Sequence, residues 1–319
     1  MKTALVLGAS GGVGGETARA LIAHGWSVRG LTRTPRSGDG IDWTIGDAMD
    51  RDDVLRAAES TQAIVHAVNP PGYRNWAKLV MPMIDNSIAA AQANDARLAL
   101  PGTIYNYDPA ATPLAAPDSP QRPSTRKGAI RRDMEARIEA SGVRALILRA
   151  GDFFGPRPGN SWLSQGMVTP GKPVTSIMVP GKRGIGHAWA YLPDVGETFA
   201  RLLDRDADLP RFARYHFAGH WDADGLGLAE AIQRVTGRRA KLRRMPWRLL
   251  PLIAPFNPTM REMIEMEAYW RHPVELDNGS LIAVLGEEPH TLLDEAMEWT
   301  LAALGCLPKT RLPGTKSLA

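Results

Sequence analysis

The 319-residue chain has little cysteine, no long apolar run and almost no excess of charge. Its single cysteine, Cys306, excludes an intrachain disulfide framework and a multi-thiolate metal site, so no metal is expected. No stretch approaches the roughly 20 apolar residues of a membrane helix, and the run at 249–256 is broken by Pro251 and Pro255. The apolar run at 4–7 is too short for a secretory core and lacks a small-residue cleavage site, which predicts a cytoplasmic protein. Lys+Arg number 38 and Asp+Glu 34, a formal charge of +4. That balance admits an anionic ligand without implying nucleic acid. What is present is ordinary for a globular chain: 44% hydrophobic and 23% charged residues, enough to bury a core. The length calls for one large or two coupled domains.

Through the first half, short apolar runs alternate with helical stretches. The pattern predicts strands at 4–7, 26–31, 42–45, 63–68, 97–100 and 143–148, and helices at 13–24, 52–59, 78–93 and 124–141. Such alternation builds βαβ units on a parallel sheet, with right-handed crossovers placing helices on both faces. After Gly151 the pattern loosens. Residues 155–180 read as extended Gly/Pro-rich loop, 191–203 as a helix entered through Pro193, 214–217 as a late strand returning to the sheet, and 226–300 as a mostly helical block.

The most informative motif is Gly8-Ala9-Ser10-Gly11-Gly12-Val13-Gly14-Gly15, between the first strand and the first helix. Glycine permits the turn's backbone angles and lets phosphates approach the main chain. The helix start adds free N–H groups and a partial positive charge. In this strand–turn–helix setting the motif reads as a dinucleotide site, with Gly8, Ser10, Gly11, Gly12, Val13 and Gly14 around the pyrophosphate. The same letters also fit the G-x-S-x-G nucleophile elbow, which leaves a serine hydrolase using Ser10 as a minor alternative. About 20 residues on, an NAD site places an acid against the ribose hydroxyls. Here the second strand ends Leu31-Thr32-Arg33. A guanidinium suits a 2′-phosphate, so Arg33, with Thr32 and Arg36, predicts NADP(H) in preference to NAD(H). Asp47, followed by Ala48, is either an acceptor for adenine or an N-terminal helix acid. Ala67, Val68 and Asn69 are expected along the cofactor because strand ends line the ligand crevice; His66 is expected to be packed.

In order along the chain, Gly8/Gly11/Gly14, Gly46-Asp47, His66-Ala67, Ile104-Tyr105, the run from Arg149 through Gly151, Asp152 and Gly155 to Pro156, and Tyr191-Leu192-Pro193-Asp194-Val195 resemble the short-chain dehydrogenase/reductase superfamily. The resemblance is to its extended or atypical branch, the NAD-dependent epimerase/dehydratase type, over roughly residues 1–205. It implies a Ser/Thr after the fifth strand and a Tyr-x-x-x-Lys on the next helix. No Tyr-x-x-x-Lys occurs in this sequence, and the Ser/Thr position falls near Pro101-Gly102, with Thr103 the nearest hydroxyl. Lys127 and Arg131 stand at the tyrosine and lysine positions, on one helix face at i,i+4. Three readings stay open. Lys127 acts as an acid beside Arg131, which binds ribose or phosphate; or Tyr105, Tyr107 or Tyr191 supplies the proton; or the cationic face holds the cofactor without chemistry.

The fold class expected is α/β: a doubly wound parallel-sheet NAD(P)-binding Rossmann fold with a smaller, mostly helical C-terminal substrate region. The core is assigned to 1–155 with returns near 185–220, and the lid to 156–184 and 221–319. Trp162 and Tyr191, with Trp189, would line a substrate pocket, and Asp152, Asn160 and His187 would supply its polar groups. His216 and His220 read as packed or surface residues. The segment 234–248 holds seven basic residues and no acid, and is expected to be a solvated face neutralised by the acids at 262–267. The expected partner is a small molecule, without nucleic acid or membrane, and the chain is a possible homodimer. The expected function is an NADP(H)-dependent oxidoreductase or epimerase/dehydratase-like enzyme on a small carbonyl or alcohol, with a non-standard catalytic centre. The alternative is a non-catalytic NADP(H)-binding sensor.

Overall fold

The computed structural model describes residues 1–70, 76–159, 161–255 and 258–308. Its centre is a seven-stranded parallel sheet. β1 (Thr3–Leu7), β2 (Ser27–Thr32), β3 (Asp42–Ile45), β4 (Ala63–His66) and β5 (Arg97–Thr103) are joined by α1 (Gly12–Ala23), α2 (Arg51–Ala57) and α3 (Trp76–Asn94). The two-residue strand β6 (Leu114–Ala115) precedes α4 (Arg126–Ala140), β7 (Ala145–Ala150), β8 (Asp152–Phe154), β9 (Ser176–Val179) and β10 (His187–Tyr191). α5 (Leu192–Asp204) then leads to β11 (Phe212–Phe217), which returns to the main sheet as the late strand expected. The strand order is β11-β7-β5-β4-β1-β2-β3, and every pairing is parallel. The order reverses between β1 and β4, so the crevice for a dinucleotide opens there.

The sequence alternation explains the two faces. Ala4 and Val6 of β1 pack into the core shared with α1 and α5. Leu5 and Leu7 pack into the opposite core, with Val54 of α2, Ile84 of α3 and Met134 of α4. Ala99 of β5 faces the first core, and Leu98 and Leu100 the second. Both faces are covered, so these strands read as continuous apolar runs rather than as half-polar ones.

The rest of the chain packs mostly against β9 and β10, while Leu281 and Leu285 join the first core of the main sheet. It comprises β12 (His220–Asp222), α6 (Gly227–Thr236), β13 (Lys241–Arg244), α7 (Leu250–Ile253), α8 (Pro258–Ile264), β14 (Glu275–Leu276), α9 (Gly279–Leu285) and α10 (Leu293–Ala303). Three small sheets staple it: β12-β10-β8, β13-β9 and β14-β6. The stretch 155–180 is therefore not all loop, for it contains a π-helical turn at Leu163–Met167 and strand β9. Strands of two to five residues are too short to show a period of two. Among the described residues no helix is long and apolar enough to cross a membrane.

Candidate cofactor and catalytic site

The glycine turn sits at the C-terminal end of β1. Gly8 has φ +89°, and a Cβ there would come within 2.5 Å of the Ala67 carbonyl oxygen. A Cβ on Gly14 would lie 2.3 Å from the Gly8 oxygen. Both glycines are needed for α1 to start this close to β1 and β4. Gly11 is the N-cap of α1; it makes no side-chain cap bond, and the first turn carries no acid. The opening turn of α1 thus carries no carboxylate to compete for its N–H groups, which suits an anionic group. The segment after β8 folds against this turn, with the Arg157 and Pro158 oxygens 3.2 Å from where a Gly12 Cβ would stand. Arg157 secures it by two bonds, of 3.1 and 3.2 Å, to the buried Glu16. Ser10 is exposed, and no hydrogen bond or ion pair joins it to a histidine or carboxylate among the described residues.

At the end of β2, the Thr32 hydroxyl donates to the Thr34 oxygen (2.9 Å) and turns the chain. Arg33 is exposed there, with no ion pair among the described residues. Arg36 lies over the Trp43 ring at 5.0 Å. Asp47 accepts from the Met49 N–H (3.0 Å), while Asp50 caps α2, so Asp47 is not the helix cap. The Ala48 oxygen accepts from Asn86 (2.9 Å). Ala67 abuts Gly8; Val68 packs at the rim of the α2–α3 core; Asn69 accepts from the Trp76 indole (2.5 Å). His66 is packed as expected, 2.7 Å from the Ser87 hydroxyl, and burial with the nearby Arg131 charge pushes it down to about 3. The residues present fit a dinucleotide.

Beyond β5 the chain makes a 3-10 turn, Ile104–Asn106, whose first N–H groups are capped by the Thr103 hydroxyl (3.1 Å from the Tyr105 N). Thr103 is thus committed to backbone. A Cβ on Gly128 would lie 2.0 Å from the Tyr105 oxygen, so α4 begins directly against this turn. The Tyr105 hydroxyl donates to Asp152 Oδ1 (2.5 Å), and His187 Nε2 lies 2.8 Å from Asp152 Oδ2. Parallel pairing of β8 with β10 places the last two. Asp152 is 7% exposed and His187 3%. One buried carboxylate therefore joins a tyrosine to a histidine beside the ends of β5 and β7.

Aromatic rings wall this chain. Trp270 stacks on His187, with centroids 3.8 Å apart at 9°. Trp162 lies 5.0 Å from Trp270 and 6.2 Å from Trp247; Trp189 is 4.8 Å from His187. Tyr269 packs on Tyr105 at 5.0 Å. The Trp270 Nε1 is buried, with no hydrogen-bond partner among the described residues. An unpaired buried donor costs about 1–3 kcal/mol, which an acceptor oxygen on a ligand would recover.

Other expected residues lie elsewhere. Lys127 Nζ is 2.9 Å from the Glu262 backbone oxygen and 3.0 Å from its carboxylate, and the Lys127 N–H donates to Glu265 (2.7 Å). Arg131 lies over the Trp76 ring at 5.3 Å. The i,i+4 pair thus divides between α8 and α3. Tyr107 is drawn into a second buried network: its hydroxyl accepts from Arg149 (2.5 Å) and lies 2.9 Å from His216, and burial raises it to about 12. Arg149 is fully buried, bonded to both Glu135 oxygens at 3.0 and 2.5 Å. Tyr191 packs 5.3 Å from Phe154, and burial, Asp194 and Glu16 raise its pKa. His220 sits 4.4 Å from His290. Asn160 falls outside the described residues. The sequence reading missed Tyr269, Trp270 and the pairing of Arg149 with Glu135. An arginine inside the apolar run 145–150 was the available signal for the last of these.

Comparison with known proteins agrees with this architecture. No curated protein matches the sequence. Among solved structures, the Bordetella bronchiseptica enzyme WbmH in complex with NAD+ aligns over 95% of this chain and 98% of its own, with TM-score 0.71 and 18% identity. A putative epimerase from Burkholderia cenocepacia gives TM-score 0.73 at 16% identity over 95% and 98%. UDP-glucose 4-epimerase from Bifidobacterium longum, in complex with NAD+ and UDP, gives 0.70 at 13% over 96% and 98%. At these identities the likeness is one of fold. The family model described as NAD dependent epimerase/dehydratase family matches residues 4–211, and the chain belongs to that family.

Proposed function

We propose that this chain is an NADP(H)-dependent oxidoreductase, or an epimerase/dehydratase-like enzyme, acting on a small carbonyl or alcohol, with Tyr105 as its proton-exchanging group. The observation that carries the reading is the Tyr105–Asp152–His187 chain at the sheet's C-terminal edge. When bound, the cofactor supplies or takes a hydride. Gly8, Ser10, Gly11, Gly12, Val13 and Gly14 would hold its pyrophosphate; Thr32 and Arg33 its 2′-phosphate; Asp47 and Ala48 its adenine; and Ala67, Val68 and Asn69 the middle of the molecule.

On reduction Tyr105 releases to the substrate oxygen the proton it otherwise shares with Asp152, and on oxidation it recovers that proton. Asp152 orients the phenol, and His187 holds the second carboxylate oxygen. Trp162, Trp189 and Trp270 wall the substrate, and the unpartnered Trp270 N–H offers it a hydrogen bond. Tyr191 supports this wall from behind through Phe154. A buried carboxylate among indoles suits an uncharged substrate better than a phosphorylated one. Lys127, tied to Glu262, and Arg131, above Trp76, bind and position rather than transfer protons.

The test is a titration of the protein with NADPH, read by its tryptophan fluorescence, followed by NADPH oxidation across a panel of neutral aldehydes and ketones. Binding with turnover on a member of the panel is expected. Tight binding with no turnover on any carbonyl or alcohol favours the sensor reading, for which Lys127's engagement by Glu262 is the supporting observation. Absence of NADPH binding overturns both.

A further inference from the structure

The site leaves one prominent sequence feature unused, the basic segment around β13. Between Glu230 and Glu262 the chain has eight Lys/Arg and no acid, so the remainder holds 30 cations against 34 acids, a net −4. All of the chain's positive excess therefore lies in 31 residues. The acids expected to neutralise it are engaged elsewhere: Glu262 with Lys127 and Arg126, Glu265 with the Lys127 N–H, and Glu267 with Arg271. Arg234 pairs with Asp294. Arg238, Arg239, Lys241, Arg243, Arg244 and Arg248 are all exposed, with no ion pair among the described residues. Among the described residues β13 pairs only with β9, and all four of its residues are exposed.

Exposed leucines accompany these cations: Leu242 is 42% exposed, Leu249 56% and Leu252 71%. The run at 249–256 contains no charge. Its neighbour Trp247 donates to the Pro180 oxygen (2.7 Å) and packs toward Trp162, so the surface adjoins the aromatic wall of the site. A soluble polyanion would use the cations and leave the leucines in water. A bilayer uses both, since headgroup charge attracts Lys and Arg while adjacent apolar side chains enter the acyl boundary.

We infer that residues 238–252 form a peripheral docking surface for an anionic phospholipid bilayer. Attraction of several cations and insertion of Leu249 and Leu252 act together, without any spanning segment. This departs from the sequence expectation of no membrane contact.

The experiment is co-sedimentation of the full chain with vesicles of phosphatidylcholine alone and with about 30% phosphatidylglycerol, at low and high salt. Binding is expected only to the anionic vesicles, weakening with salt. R243Q/R244Q/R248Q should lower partitioning at least about tenfold. L249S/L252S should lower it severalfold while leaving the salt dependence in place. These residues are exposed, and far-UV circular dichroism of each variant checks that the fold is kept. Failure of the wild type to sediment with anionic vesicles overturns the inference. So does unchanged partitioning of the leucine variant, or single-stranded RNA binding that displaces the vesicles and ignores the leucine change.

Discussion

At the scale of residues, the proposed preference for NADP(H) rests on Arg33. It is exposed at the end of β2, and the neighbouring Thr32 hydroxyl holds the turn by bonding Thr34. A guanidinium gains from a 2′-phosphate and little from a bare hydroxyl. Arg33→Asp is expected to weaken NADPH binding about tenfold or more and to bring NADH level with it or ahead. Competitive titration of both nucleotides reads this, and an unchanged ratio removes Arg33 from the site. Single residues were unevenly legible in the sequence. The glycines were legible because their backbone requirement is written in the letters themselves. Tyr105, Asp152 and His187 each stood out locally, but they come from the turn after β5, from β8 and from β10, and only tertiary pairing brings Tyr105 and His187 to the Asp152 carboxylate. Lys127 was legible as a helix-face cation; its engagement by Glu262, 135 residues on, was not.

At the scale of elements, the β5–α4–β7 corner sets the turn that carries Tyr105. Arg149 at the end of β7 reaches Glu135 on α4, and Asn106 of the 3-10 turn donates to the same carboxylate (2.8 Å). Glu135 is 2% exposed, so removing it strands a buried guanidinium. Glu135→Ala is expected to cost about 3–5 kcal/mol of stability and Glu135→Gln less. Equilibrium urea denaturation measures both, and a change under 1 kcal/mol would contradict a structural role for the pair. The elements of the first half follow their predicted positions closely, because buried apolar runs alternate there with helical stretches. The short strands β8, β9, β10, β12, β13 and β14 do not, and β8 and β10 are the ones that bring Asp152 and His187 together. The family resemblance pointed to that region without supplying its pairings.

At the scale of the whole molecule, three buried histidines tie stability to pH. Burial, with Arg131, holds His66 at about 3; burial, with Arg149, holds His216 at about 3; burial, with His290, holds His220 at about 4. All lie below the unfolded value of 6.5, so below pH 6.5 the unfolded chain binds more protons than the native one. Their contribution is therefore full above pH 6.5 and falls as the pH drops toward 4, by about 1.4 kcal/mol per histidine per unit; His24, raised against its burial by Asp204 and Glu197, works the other way near neutral pH. Burial raises Asp194, which works in the opposite direction only within the carboxylate range. Urea midpoints should decline steeply from pH 7 to pH 5, and a flat profile would show that these rings take up protons in the fold.

The central claim is that the proton moves through Tyr105 in a chain with no Tyr-x-x-x-Lys. The most direct measurement is single-turnover NADPH oxidation by Tyr105→Phe with a carbonyl that the wild type reduces. The rate constant is expected to fall about 10²–10⁴-fold with NADPH affinity unchanged; a rate within twofold of wild type would contradict the account.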